Sequence, residues 1–254
     1  MGTAMKVEVD GATLHVEVDG DGDGGEGKPG LLLWPPGRCT MRAWDHLVER
    51  LAERFRVVRI DPRGFGQSTP TADPDSQYTF VQYAQDACDV LDHLGIERCH
   101  VWSQSWGSRP AMVFCAYHPE RVISAALYAA NTDKADVPAQ REGTKRAAEL
   151  RRQQGIEPTP VPAGIMDHRD PDAAARATQG LLGFELKPMV PKLTMPVLIG
   201  TGDHDPNLVS SRVIAATAPN AKLVELLCCG HNGMLEHPEL ALETFLRFHD
   251  ELGT

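Results

Sequence analysis

The chain has 254 residues, 42% of them hydrophobic and 24% charged, which is ordinary globular usage and excludes a disordered, charge-rich polymer. Lys and Arg total 25 against 35 Asp and Glu, a formal net charge of −10 that would repel phosphate backbones and argues against nucleic-acid binding. No apolar run approaches the roughly 18 residues that span a bilayer, and residues 1–30 are acidic and glycine-rich rather than leader-like, so a membrane or secreted protein is disfavoured.

Residues 5–18 alternate apolar and polar on either side of Asp10-Gly11, the pattern of a β-hairpin with one solvated face. The stretch that follows places Asp19, Asp21 and Asp23 as a calcium loop would, but its twelfth position is Gly30, where such a loop needs a bidentate Glu. A flexible acidic loop is expected instead. From residue 31, apolar runs at Leu31–Trp34, Val57–Ile60, His100–Trp102, Ile123–Ala130, Val197–Gly200 and Lys222–Leu227 read as strands buried on both faces. Helical periods lie between them, clearest in Thr79–Leu94, where Thr79 can cap the start and Gly95 the end, with another at Arg109–His118. The alternation predicts an α/β fold, a mostly parallel doubly wound sheet with an N-terminal antiparallel hairpin.

Residues 132–188 break the alternation, with helical segments at Gln140–Gln153 and Pro171–Leu182, a proline-rich link at Pro158–Pro162 and no strand pattern. They predict a small helical cap inserted into a core formed by residues 1–131 and 189–254. Pro238–Leu252 reads as a closing amphipathic helix. The six cysteines, Cys39, Cys88, Cys99, Cys115, Cys228 and Cys229, are too few for a disulfide scaffold and none are spaced C-x-x-C, so reduced thiols in a cytoplasm are expected.

The sharpest chemical signal is Val101-Trp102-Ser103-Gln104-Ser105-Trp106-Gly107-Ser108, between an apolar strand and a helical stretch. A nucleophile on a sharp strand-to-helix turn needs small residues two positions before and after it, and Ser105 has Ser103 and Gly107. The helix start that follows favours an oxyanion beside Ser105, with the Trp106 N–H placed to donate. A serine hydroxyl needs a base, and His231, in Gly230-His231-Asn232-Gly233 between the last strand and the last helix, lies where parallel sheets bind ligands. The orienting carboxylate would come from Gly202-Asp203-His204-Asp205-Pro206, after the preceding strand, which gives the chain order Ser, Asp, His.

Over residues 5–252 the chain resembles the α/β-hydrolase fold superfamily. Asp61-Pro62-Arg63-Gly64-Phe65-Gly66-Gln67-Ser68 is similar to that family's loop after the fourth strand, and Ser105-Trp106-Gly107-Ser108 with His118-Pro119-Glu120-Arg121-Val122 resembles the elbow and helix of proline iminopeptidases. In the acid loop the resemblance makes the carboxylate directly before proline catalytic, so Asp205 is preferred to Asp203. Similar hydrolases carry His-Gly-x after the third strand, where this chain has Trp34-Pro35-Pro36-Gly37-Arg38-Cys39. Neither proline has an N–H, so the second oxyanion donor is expected at Arg38, with Gly37 or Cys39 as the choice if the register shifts by one.

A cofactor-free, metal-free serine hydrolase acting on a small carboxylic ester, thioester or lactone is therefore expected, with Ser105 as nucleophile, His231 as base and Asp205 as its partner. Trp34, Leu182 and Phe184 are expected to line the substrate site with Trp106. The rivals are an aminopeptidase, a cofactor-independent oxygenase or carbon-carbon bond hydrolase on the same residues, and a non-enzymatic receptor.

Overall fold

The computed structural model of the protein describes residues 2–21, 27–179 and 184–253. Gly11 takes φ +72° at the Asp10-Gly11 turn, so β1 (Thr3–Val9) returns antiparallel as β2 (Ala12–Asp19). Alternate residues of β2, Ala12, Leu14, Val16 and Val18, are buried, as a strand with one covered face requires. The sheet continues with β3 (Gly30–Trp34), β4 (Arg56–Asp61), β5 (Cys99–Gln104), β6 (Val122–Tyr128), β7 (Val197–Gly202) and β8 (Ala221–Leu226), in the spatial order β1-β2-β4-β3-β5-β6-β7-β8. β2 meets β4 antiparallel, and every later pairing is parallel. This is the expected mostly parallel, doubly wound sheet with an antiparallel N-terminal pair.

The helices are α1 (Asp45–Ala52), α2 (Pro74–Gln77), α3 (Phe80–His93), α4 (Ser108–Tyr117), α5 (Val137–Gln153), α6 (Pro171–Gln179), α7 (Leu208–Thr217), α8 (Gly233–Glu236) and α9 (Pro238–Leu252). They divide between the two faces of the sheet because successive strand residues point to opposite sides. Leu32, Trp34 and Val101 pack with Val90, Leu91 and Phe114 of α3 and α4. Leu31, Leu33 and Trp102 pack with Leu47 of α1 and Phe245 of α9 on the other side. α3 shows the local logic: Thr79 Oγ1 accepts the Gln82 N–H at 3.1 Å, Ala84, Ala87, Val90 and Leu91 form the buried stripe, and Gly95 at φ +66° lets the chain leave. Each buried Val or Leu stabilises the fold by about 1.5–3 kcal/mol relative to exposure.

Between β6 and β7 the described residues hold α5 and α6 and no strand. α5 begins before the expected Gln140 because Asp136 caps it, accepting the Ala139 N–H at 3.0 Å. The expected extension of α6 to Leu182 lies outside the described residues, as do residues 22–26 of the acidic loop. Among the described residues no helix is long and apolar enough to cross a membrane.

Candidate active site

β5 ends at Gln104, and the chain turns through a 3-10 turn, Ser105–Gly107, directly into α4. Ser105 takes φ +57°, a left-handed conformation that costs a residue with a Cβ about 1–3 kcal/mol and persists where the surroundings hold it. A Cβ on Gly107 would collide with the Pro35 carbonyl oxygen and lie 2.8 Å from the Trp34 oxygen, so the position two after Ser105 admits glycine alone. On the other side, the small Ser103 fits the turn at no polar cost. Its buried hydroxyl is 3.0 Å from Ser108 Oγ and 3.4 Å from the Ala126 carbonyl.

Ser105 Oγ lies 2.6 Å from His231 Nε2, and His231 Nδ1 lies 2.9 Å from Asp205 Oδ2. The other oxygen of the buried Asp205 carboxylate accepts the Asn207 N–H at 3.0 Å. With its Nδ1–H donated to Asp205, the imidazole turns the lone pair of Nε2 toward the serine hydroxyl. The loops after β5, β7 and β8 thus bring together Ser105, Asp205 and His231. Asp203 is turned away and accepts the Cys229 N–H at 3.1 Å, while Asp133 pairs with Lys187 at 2.7 Å.

Two residues without an expected role hold the histidine loop. Gln104 Nε2 donates to the His231 carbonyl at 2.7 Å. Glu236 accepts the N–H groups of Gly230 and Asn232 at 2.9 and 3.0 Å, on either side of His231, and also bonds Thr144 and Arg151 of α5. Asp61 and Arg63 brace their loop: Asp61 accepts the N–H groups of Met41 and Gln67, and the buried Arg63 forks onto Asp86 at 2.5 and 2.7 Å.

The segment after β3 narrows the choice of second N–H donor. Cys39 N–H is committed to the Pro36 carbonyl at 3.1 Å, and the prolines have none, which leaves Gly37 and Arg38. A Cβ on Gly37 would lie 2.8 Å from Trp106 Cβ, so this turn rests on the elbow itself. Arg38 sits at φ +62°, and His168, from the excursion between β6 and β7, pins it: Nδ1 accepts the Gly66 N–H at 2.9 Å and Nε2 bonds the Arg38 carbonyl at 2.8 Å. The Ser105–Gly107 turn has no side-chain cap at its start, so no side chain competes there for the N–H groups of that turn.

The sequence family described as alpha/beta hydrolase fold matches residues 30–154. The chain has the α/β-hydrolase fold. The enol-lactonase of Burkholderia xenovorans LB400 superposes with a TM-score of 0.80 at 23% identity, over 97% of this chain and 100% of that one. The 2-hydroxymuconate semialdehyde hydrolase of Pseudomonas putida is 27% identical over 275 residues, covering 91% of each chain. Fluoroacetate dehalogenase of Burkholderia sp is 32% identical over 123 residues, 48% of this chain and 38% of that protein, so this chain spans well under half the length of that relative.

A cavity of about 330 Å³ opens on Ser105 and His231, with Trp106, Arg109, Lys134 and Gln140 among its walls. Two of the residues expected to line it do not. Trp34 is 3% exposed and packs on Phe114 at 5.9 Å between ring centroids, because the strand alternation turns it with Leu32 into the α3–α4 side of the core. Phe184 lies edge-on to Phe80 at 5.5 Å, against the same core. Leu182 lies outside the described residues. Trp106 does reach the cavity, its ring held against Phe65 and Tyr83 at 5.0 and 5.4 Å. Arg109 and Lys134 escaped the sequence reading because a cation gains meaning here from the cavity it faces.

Proposed function

We propose that this protein is a hydrolase that cleaves a small carboxylic ester, thioester or lactone through an acyl-enzyme on Ser105. The reading rests on one observation, the continuous line from Ser105 Oγ to His231 Nε2 at 2.6 Å and from His231 Nδ1 to Asp205 Oδ2 at 2.9 Å. In the first step His231 takes the Ser105 proton as the serine oxygen attacks the carbonyl carbon. Asp205 then stabilises the imidazolium. The developing oxyanion is held by the Trp106 N–H and by the N–H of Arg38. His231 returns the proton to the leaving alcohol, thiol or ring oxygen, and water repeats the sequence on the acyl-enzyme. A second reading takes its substrate from the relative similar over 91% of each chain, a 2-hydroxymuconate semialdehyde, handled by the same three residues.

An uncharged fluorophosphonate probe tests the nucleophile without a known substrate. The wild-type protein is expected to be labelled at Ser105, and Ser105→Ala and His231→Ala to lose labelling and 4-nitrophenyl ester hydrolysis, with little further loss when combined. Labelling that persists in Ser105→Ala would overturn the assignment.

A further inference from the structure

In a chain with 25 basic against 35 acidic residues, the charges lining a cavity would on average tilt toward carboxylates. The cavity at Ser105 reverses this: Arg109 and Lys134 line it, and no Asp or Glu is among the described residues that do. We propose that Arg109 and Lys134 form a carboxylate-binding subsite beside Ser105, so that the substrate carries an anionic carboxylate a few bonds from the carbonyl under attack. This deepens the acyl-transfer reading given above and rests on it.

Ser105, in the turn that leads into α4, and Arg109, in the first turn of α4, both face the same cavity. Arg109 is half-buried and oriented by a single nitrogen. Its Nη2 donates to Asn131 Oδ1 at 2.7 Å and to the Asp133 carbonyl at 2.8 Å. Nε and Nη1 take no partner among the described residues, which leaves donors of the planar fork that matches a carboxylate. Burial acts against the Arg109 charge, and the field of Asp133 only partly offsets it. An anionic ligand would supply the rest.

The neighbouring carboxylates that would otherwise neutralise these cations are occupied elsewhere. Asp133 Oδ1 lies 2.7 Å from Lys187 Nζ, and Asp136 caps α5. Lys134 has no carboxylate within ion-pair distance among the described residues. The amide network behind Arg109 is rigid as well: Asn131 Nδ2 donates to Asn207 Oδ1 at 3.0 Å, and the Asn207 N–H holds Asp205. Arg109 is thus fixed in the same frame as the acid that orients His231.

The test compares mono-4-nitrophenyl esters of four- to six-carbon diacids with the corresponding carboxamide esters, which have the same shape without the charge. Wild-type kcat/KM is expected to favour the acid over the amide by at least about tenfold, and Arg109→Met to bring the ratio near one. Arg109→Lys should restore part of it, and Lys134→Met, an exposed change that leaves the fold intact, should lower it. In parallel, glutarate and adipate should raise the melting temperature of the wild type and not of Arg109→Met, a readout that needs no turnover. Equal rates for acid and amide esters in wild type, with fluorophosphonate labelling intact, would overturn the subsite and leave the hydrolase reading standing. Arg109-dependent dicarboxylate binding without any labelling would do the reverse.

Discussion

At the scale of single residues, Asp203 and Asp205 stand two positions apart after β7 and do different work. Asp205 Oδ2 meets His231 Nδ1, whereas Asp203 is spent on the Cys229 N–H. Asp205→Asn keeps the shape but lets the amide hold the wrong imidazole tautomer, so kcat is expected to fall by about 10³–10⁴-fold, the loss seen when this role is removed from serine hydrolases. Asp203→Asn should cost less than about tenfold. The reverse ranking in ester hydrolysis would show that the orienting carboxylate has been misassigned. Both aspartates were visible in the sequence, because Ser105, the aspartate pair and His231 each follow a strand end and chain order relates them. Gln104, His168 and Glu236 were not. Gln104 acts on a carbonyl 127 residues away and His168 on one 130 residues away, so no local pattern announces either. Trp34 was misplaced for a related reason: sequence locates it at a strand end, but which face it takes depends on the register that puts it with Leu32 and Phe114.

At the scale of elements, strands were the most legible, since a run such as Val57–Ile60 must be covered on both sides to be stable, and β4 extends it by one residue at each end. α3 was legible from its stripe and caps, and α9 from its stripe. α7 was not, because Val209 and Val213 are 71% and 61% exposed and blur its apolar face. α9 also carries a titration that its sequence does not advertise. His249 lies edge-on to His100 of β5, with ring centroids 4.5 Å apart, and His100 Nδ1 is 2.9 Å from Ser124 Oγ. Burial, aided by Arg98, pushes His100 down to about 4; burial, then His100 and Arg54, push His249 to about 3. In the unfolded chain both imidazoles protonate near 6.5, so between that value and about 4 the unfolded state binds more protons and folding weakens as pH falls. The contribution is complete above about 6.5 and progressively lost below it. The urea midpoint should therefore drop between pH 7 and pH 4, and the drop should be smaller in His249→Leu. An identical pH slope in that variant would remove the pair from acid unfolding.

At the scale of the whole molecule, the excursion between β6 and β7 is fastened to the same loops that carry the site. Gly143, in the middle of α5, is so close to the acid loop that a Cβ there would collide with the His204 carbonyl oxygen, and a Cβ on Gly230 would lie 2.5 Å from Thr144 Cα. Backbone thus packs on backbone, with Arg151 of α5 reaching the Cys228 carbonyl and Glu236. Gln140, which walls the cavity from α5, is therefore held in register with Asp205 and His231 by these contacts. Gly143→Val tests it cleanly, since valine is a better helix former than glycine and α5 itself would gain about 0.3–0.5 kcal/mol. Any loss must come from docking. Because the displaced α5 would carry both the cavity wall and the support of Glu236, kcat/KM should fall by at least about tenfold for charged and uncharged esters alike, with a melting temperature several degrees lower. Ala148→Val, on the exposed face of the same helix, supplies the control and should leave both quantities near wild type. Full activity and stability in Gly143→Val would mean that α5 can withdraw from the acid loop without disturbing the site, and the joint fastening of cavity and acid loop would have to be abandoned.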